Sequence, residues 1–87
     1  MINAVIINDI DTVVTVIKKV SLGENVSYVS SDGYSTIKAT SDIPINHKVA
    51  IKQVKNGDEV LKYGERIGYA TMDIHIGDHV HTNNLDS

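Results

Sequence analysis

Apolar residues in this chain come in short bursts, mostly Ile and Val, broken by Gly, Asn and Asp; Leu occurs only at Leu22, Leu61 and Leu85. Branching at Cβ restricts a side chain against a helical turn but suits a pleated surface, so the pattern leans toward strand throughout. One stretch offers an alternative, because Ile10, Val13, Val14 and Ile17 match the i, i+3, i+4, i+7 helix template. Thr12 to Ile17 is nonetheless a poor helix former, and Gly23 follows closely, which predicts a strand over residues 12–20. Asp32-Gly33, between Val26–Ser30 and Tyr34–Ala39, predicts one tight hairpin. Tyr63-Gly64-Glu65, between Glu59–Lys62 and Arg66–Ala70, predicts another, and the chain as a whole reads as all-β.

A short unit recurs. Val20 to Val26, Ile43 to Val49, Val54 to Val60 and Ile74 to Val80 each run from a β-branched residue to Gly or Asn three later and to Val three later again. Gly and Asn tolerate the left-handed backbone region, so each unit predicts a strand end, a sharp reversal and a new strand start. Such turn chemistry also serves many small β proteins, and by itself it identifies none of them.

Size and charge narrow the field. The 87 residues, 41% hydrophobic, suffice for one modest domain over residues 1–87. A chain this short buries only about 60% of its unfolded surface, which leaves little material to wall an enzyme pocket on all sides. Without cysteine there are no disulfides, thiolate metal sites or thiol nucleophiles. No apolar run approaches the ~20 residues of a membrane helix, and no leader pattern opens the chain, so a soluble cytoplasmic protein away from membranes is expected. The net charge is −3 and the only adjacent basic pair is Lys18-Lys19. With neither a basic face nor Phe or Trp for base stacking, nucleic acid is not expected as a partner.

Candidate chemistry gathers near the C-terminus, where His75, His79 and His81 lie within Ile74 to Asn84, while His47 stands alone in the second of the recurring units. If residues 79–84 are extended, His79, His81 and Asn83 point to one side, and imidazoles at i and i+2 can share one metal ion or one anion. Solvated histidines flanking a turn fit the same residues. No phosphate-cradling loop, nucleophile elbow or paired-carboxylate catalyst is present, and Asp58-Glu59 and Asp78 occupy corner positions.

Taken together, Asp42-Ile43-Pro44, His47-Lys48-Val49-Ala50-Ile51, Gly57-Asp58-Glu59-Val60, Lys62-Tyr63-Gly64-Glu65-Arg66-Ile67-Gly68-Tyr69-Ala70 and Gly77 through Leu85 resemble the N-terminal SAF-type domain of the altronate and galactarate dehydratase family. Ala4-Val5-Ile6-Ile7 and Asp11-Thr12-Val13 fit the start of that domain, so the resemblance covers nearly the whole chain. The Tyr-Gly-Glu-x-Ile-Gly hairpin and the terminal His81-Thr82-Asn83-Asn84-Leu85 are its specific parts. The resemblance implies a β-clip of short bent strands and long hairpins. It also implies a small subunit that completes a metal-assisted active site with a separate large catalytic subunit and is inactive alone.

Such enzymes remove water from sugar acids such as altronate or galactarate, with a divalent metal, iron(II) being the usual one, shared with the large subunit. Relatives with a free-standing small subunit instead eliminate sulfite from sulfolactate, and the long hairpin around Asp32-Gly33 is similar to theirs. A third implication is a non-catalytic SAF-type binding module, and a homo-oligomer is compatible with any of these. Carried over position by position, the resemblance assigns His81, as a metal or substrate contact, and Asn84, as an orienting hydrogen-bonder, to the catalytic site; His79, at a position that varies in the family, is the candidate metal ligand beside His81. It places His47 and Lys48 near the same surface as candidates for substrate binding, with a solvated turn as the plain alternative; Arg66, the only arginine, is a candidate partner for a substrate carboxylate, with a hairpin cap as its plain alternative. Asn83 stands where the family commonly has a second histidine, and Asn46 where it has glycine, which weakens a chelate between His81 and residue 83.

Overall fold

A computed structural model describes residues 1–87, and it contains no helix. Val13 to Val16 is extended, within the expected span: Val13 and Val14 are each 1% exposed yet belong to different core clusters, which neighbouring residues achieve only by alternating across a sheet. The strand itself covers Val13–Val16, shorter than the predicted 12–20, and Ile10 and Ile17 are exposed. Beyond it the chain bends and returns only as an isolated bridge at Val20.

The strands are β1 Ala4–Val5, β2 Val13–Val16, β3 Asn25–Ser30, β4 Gly33–Lys38, β5 Lys48–Ala50, β6 Glu59–Lys62, β7 Glu65–Ala70, β8 His79–Val80 and β9 Leu85–Asp86. They form an antiparallel sheet in the order β1-β2-β5-β8, the β3-β4 hairpin, and a sheet in the order β6-β7-β9. Both expected hairpins are present. In the first, Ser31-Asp32 forms the loop and only Gly33 takes positive φ, at 106°, one residue later than an Asp-Gly centred turn. In the second, Tyr63 and Gly64 are both left-handed, at 61° and 73°, as a two-residue loop matched to strand twist requires.

All four recurring units are corners. Gly23, Asn46, Gly57 and Gly77 take φ of 86°, 69°, 92° and 95°, and the residues that open and close each unit are at most 5% exposed. The corners pair off in two equivalent halves. Val20 bridges Ile43 and Val54 bridges Ile74. Gly23 N donates to Ala39 O and Gly57 N to Ala70 O, both at 2.8 Å. Leu22 N donates to Asp42 Oδ1 at 2.8 Å and Asn56 N to Asp73 Oδ1 at 2.9 Å. Each half supplies one core: Val14, Val16, Val20, Val26, Ile43 and Val49 with Tyr28 pack on one face of the four-stranded sheet, and Val13, Ala50, Val54, Val60, Ile74 and Val80 on the other. With each buried Val or Ile worth about 1.5–3 kcal/mol, these small side chains supply the stabilisation that ordering the corners requires.

One buried charge joins the halves. Asp11 is fully buried, and its carboxylate accepts N–H bonds from Asn8 at 3.0 Å, Tyr63 at 3.1 Å and Gly64 at 2.8 Å. It therefore holds the loop of the second hairpin against the entry to β2.

Candidate metal centre

The pairing of β5 with β8 sets Lys48 opposite Val80 and Val49 opposite His79. Continued one residue further, the same antiparallel register sets His47 opposite His81, with His79 on the same face as His81. The three imidazoles do converge. Ring centroids lie 4.6 Å apart for His47 and His81, 5.1 Å for His47 and His79, and 5.5 Å for His79 and His81, with planes within 25° of parallel. His47 Nδ1 and His79 Nε2 share a hydrogen bond of 2.9 Å, and one ligand nitrogen from each of the three rings lies within 4.8 Å of the others.

His79 has its pKa lowered, first by burial, then by the neighbouring charges of His47, His81 and Lys48. A neutral ring keeps the lone pair that a metal needs. The set contains only nitrogen donors, which suits a borderline divalent metal such as iron(II) or zinc, and to share one ion the rings would have to turn out of their stacked, hydrogen-bonded arrangement.

Asn84 supports this arrangement from below. It is 5% exposed; its Oδ1 accepts from His81 N at 2.9 Å and its Nδ2 donates to His79 O at 2.8 Å. The side chain thus ties together the backbones of two ring-bearing residues, both of its hydrogen bonds going to main-chain groups. Residues 79–84 are accordingly not extended throughout: the strand ends at Val80 and the chain turns over 81–84, with Asn84 N bonded to His81 O at 3.0 Å. Asn83 falls in the turn, and the third imidazole is that of His47.

The other candidates lie elsewhere. Lys48 is on the opposite face of the sheet from His47, across from Thr15, with its pKa lowered by burial and by Lys62. Arg66 sits on the second hairpin with its guanidinium 5.0 Å from the Tyr69 ring centroid. His75 pairs with Gln53, 3.1 Å away. Beside His79 lies an open recess of about 380 Å³ lined by Thr40, Ser41, Asp42, Met72, Asp78, Asn83 and Asn84. One role escaped the sequence: the anchoring by Asp11, whose only sequence signal is a lone acid set against the apolar start of β2.

The model of the altronate/galactarate dehydratase SAF domain matches residues 2–87. Over 48 residues the chain is 54% identical to the (2R)-sulfolactate sulfo-lyase subunit alpha of Paracoccus pantotrophus, covering 55% of this chain and 72% of that protein. It is 36% identical over 74 residues to the altronate dehydratase of Bacillus subtilis and 35% identical over 78 residues to that of Escherichia coli. Those matches cover 85% and 90% of this chain but only 14% and 15% of the two dehydratases.

Proposed function

The chain belongs to the altronate/galactarate dehydratase SAF-domain family, and on that premise we propose that it is the small, metal-bearing part of a lyase acting on a hydroxylated carboxylic acid together with a larger catalytic chain. The observation that carries this reading is the meeting of His47 with His79 and His81. A solvated turn needs no three-imidazole cluster, and a plain binding module gains nothing from holding three partly desolvated rings together.

His47, His79 and His81 would hold the metal, iron(II) in the reading favoured here. When bound, it supplies a positive charge that draws electron density from a substrate carboxylate and so acidifies the neighbouring C–H. The chain's own residues prepare for this. Burial keeps the His79 ring neutral, Asn84 fixes the spacing of the His79 and His81 backbones, and Thr40, Ser41 and Asn83 offer hydrogen bonds to substrate hydroxyls in the adjacent recess. A base on the larger chain takes the proton next to the carboxylate, and the group on the neighbouring carbon departs as water. The 54% identity to a sulfo-lyase subunit favours a second reading in which that group departs as sulfite.

The test is to co-produce the chain with a large dehydratase-like partner, load ferrous ion, and follow 2-keto acid formation from altronate and galactarate and sulfite release from sulfolactate. Activity is expected from the pair and not from either chain alone, with a loss of at least 100-fold in His81→Ala. A fully active pair carrying His47→Ala, His79→Ala and His81→Ala together would overturn the reading.

A further inference from the structure

A second recess, of about 400 Å³, opens away from the histidines on the outer face of the β3-β4 hairpin. The register pairs Asn25 with Lys38, Ser27 with Thr36 and Val29 with Tyr34, so these side chains share the face opposite the one that buries Val26 and Tyr28. Lys18, Lys19 and Asn3 close the sides. The wall is fixed in place: Asn3 Oδ1 accepts from Ser27 N at 2.8 Å, Asn3 Nδ2 donates to Asn25 O at 2.9 Å, and the Ser27 and Thr36 hydroxyls lie 3.1 Å apart.

The charge of this recess runs against that of the chain. The protein carries −3 overall, yet its only adjacent basic pair lines the cavity, facing one acid, Glu24, whose Oε1 already accepts from Ser21 N at 2.7 Å. The Tyr34 phenol is lowered to about 8, chiefly by the Ser27 hydroxyl, then by that of Thr36 and by the N-terminal ammonium of Met1, which also lines the recess. Two ammonium groups beside a row of hydroxyls are complementary to a molecule that carries a carboxylate and hydroxyls together.

We propose that this recess is a binding site for a small hydroxylated carboxylate, with Lys18 and Lys19 holding the anion and Ser27 and Tyr34 hydrogen-bonding its hydroxyls. The site shares no lining residue with the histidine cluster, and it stands whether or not that cluster holds metal.

Amide chemical shifts of the full chain, followed during titration with D-gluconate, acetate or sorbitol at low ionic strength, test it. Gluconate carries both features, and each of the other probes only one. Gluconate is expected to shift Asn3, Asn25, Ser27 and Tyr34 with an affinity at least five-fold above that of acetate or sorbitol. That affinity should drop at least five-fold in K18Q/K19Q and on raising the salt to about 0.5 M, where surface charge is screened within a few ångströms. His81→Ala should leave it unchanged. Gluconate binding no tighter than acetate, shifts confined to other surfaces, or full affinity in the folded double variant would each overturn the proposal.

Discussion

Asn84→Ala separates a tether from a ligand. The side chain makes two bonds, to His81 N and His79 O, from a position only 5% exposed. Each such bond contributes about 0.5–1.5 kcal/mol net, and the stranded backbone groups add a desolvation cost, so the variant should lose about 2–4 kcal/mol. In a domain with total stability of roughly 5–10 kcal/mol that is large but survivable. Groups that orient ligands from behind typically change metal affinity about 10–100-fold, and the same loss is expected here for zinc or cobalt(II). Urea unfolding gives the first quantity and calorimetric titration of the folded protein the second. Glu24→Ala is the control: it removes a comparable bond, Oε1 to Ser21 N at 2.7 Å, from another corner, and should lower stability slightly with metal affinity intact. If Asn84→Ala is destabilised but binds metal as tightly as the parent, Asn84 is a structural corner residue and its role in spacing the histidines is refuted.

Three further outcomes follow from the same geometry. Asp11→Ala strands the N–H groups of Asn8, Tyr63 and Gly64 and should cost about 3–5 kcal/mol in urea unfolding, so a loss below about 1 kcal/mol would mean that water replaces the carboxylate at no penalty. Gly77→Ala meets both a φ of 95° and a methyl group driven onto the Lys38 carbonyl, whereas Gly23→Ala at 86° meets open space. The Gly23 variant should lose about 1–2 kcal/mol and the Gly77 variant at least about 2 kcal/mol more, and equal losses would show that the close approach is not rigid. His79 has a lowered pKa, so between the folded value and 6.5 the unfolded chain binds more protons than the folded one. Its contribution to apo-protein stability is therefore full above 6.5 and disappears as the pH falls through the lowered value. Urea midpoints that are flat from pH 7 to 5 in the parent, or that slope equally in His79→Gln, would contradict this.

How much of this was legible depended on how local the cause was. The corners could be read because each is specified within seven residues: a β-branched residue that must be buried, then Gly or Asn where φ is positive, then Val. Their pairing into two halves could not, since Val20 meets Ile43 and Val54 meets Ile74 only after the intervening hairpins form. The same division runs through the metal centre. His79 and His81 are two residues apart and point one way by strand periodicity alone. His47, 32 positions before His79, joins them because β5 and β8 pair in one register and no other. A slip of one residue would send His79 and His81 to the face of Lys48 and leave His47 alone. That register is enforced by packing and not by the histidines: Val49 is fully buried in one core, and Ala50 and Val80 in the other, so any slip would expose both cores at once. The cluster of imidazoles is thus a consequence of where the valines must go: spacing along the chain carries His79 and His81, but not the strand pairing that adds His47 to them.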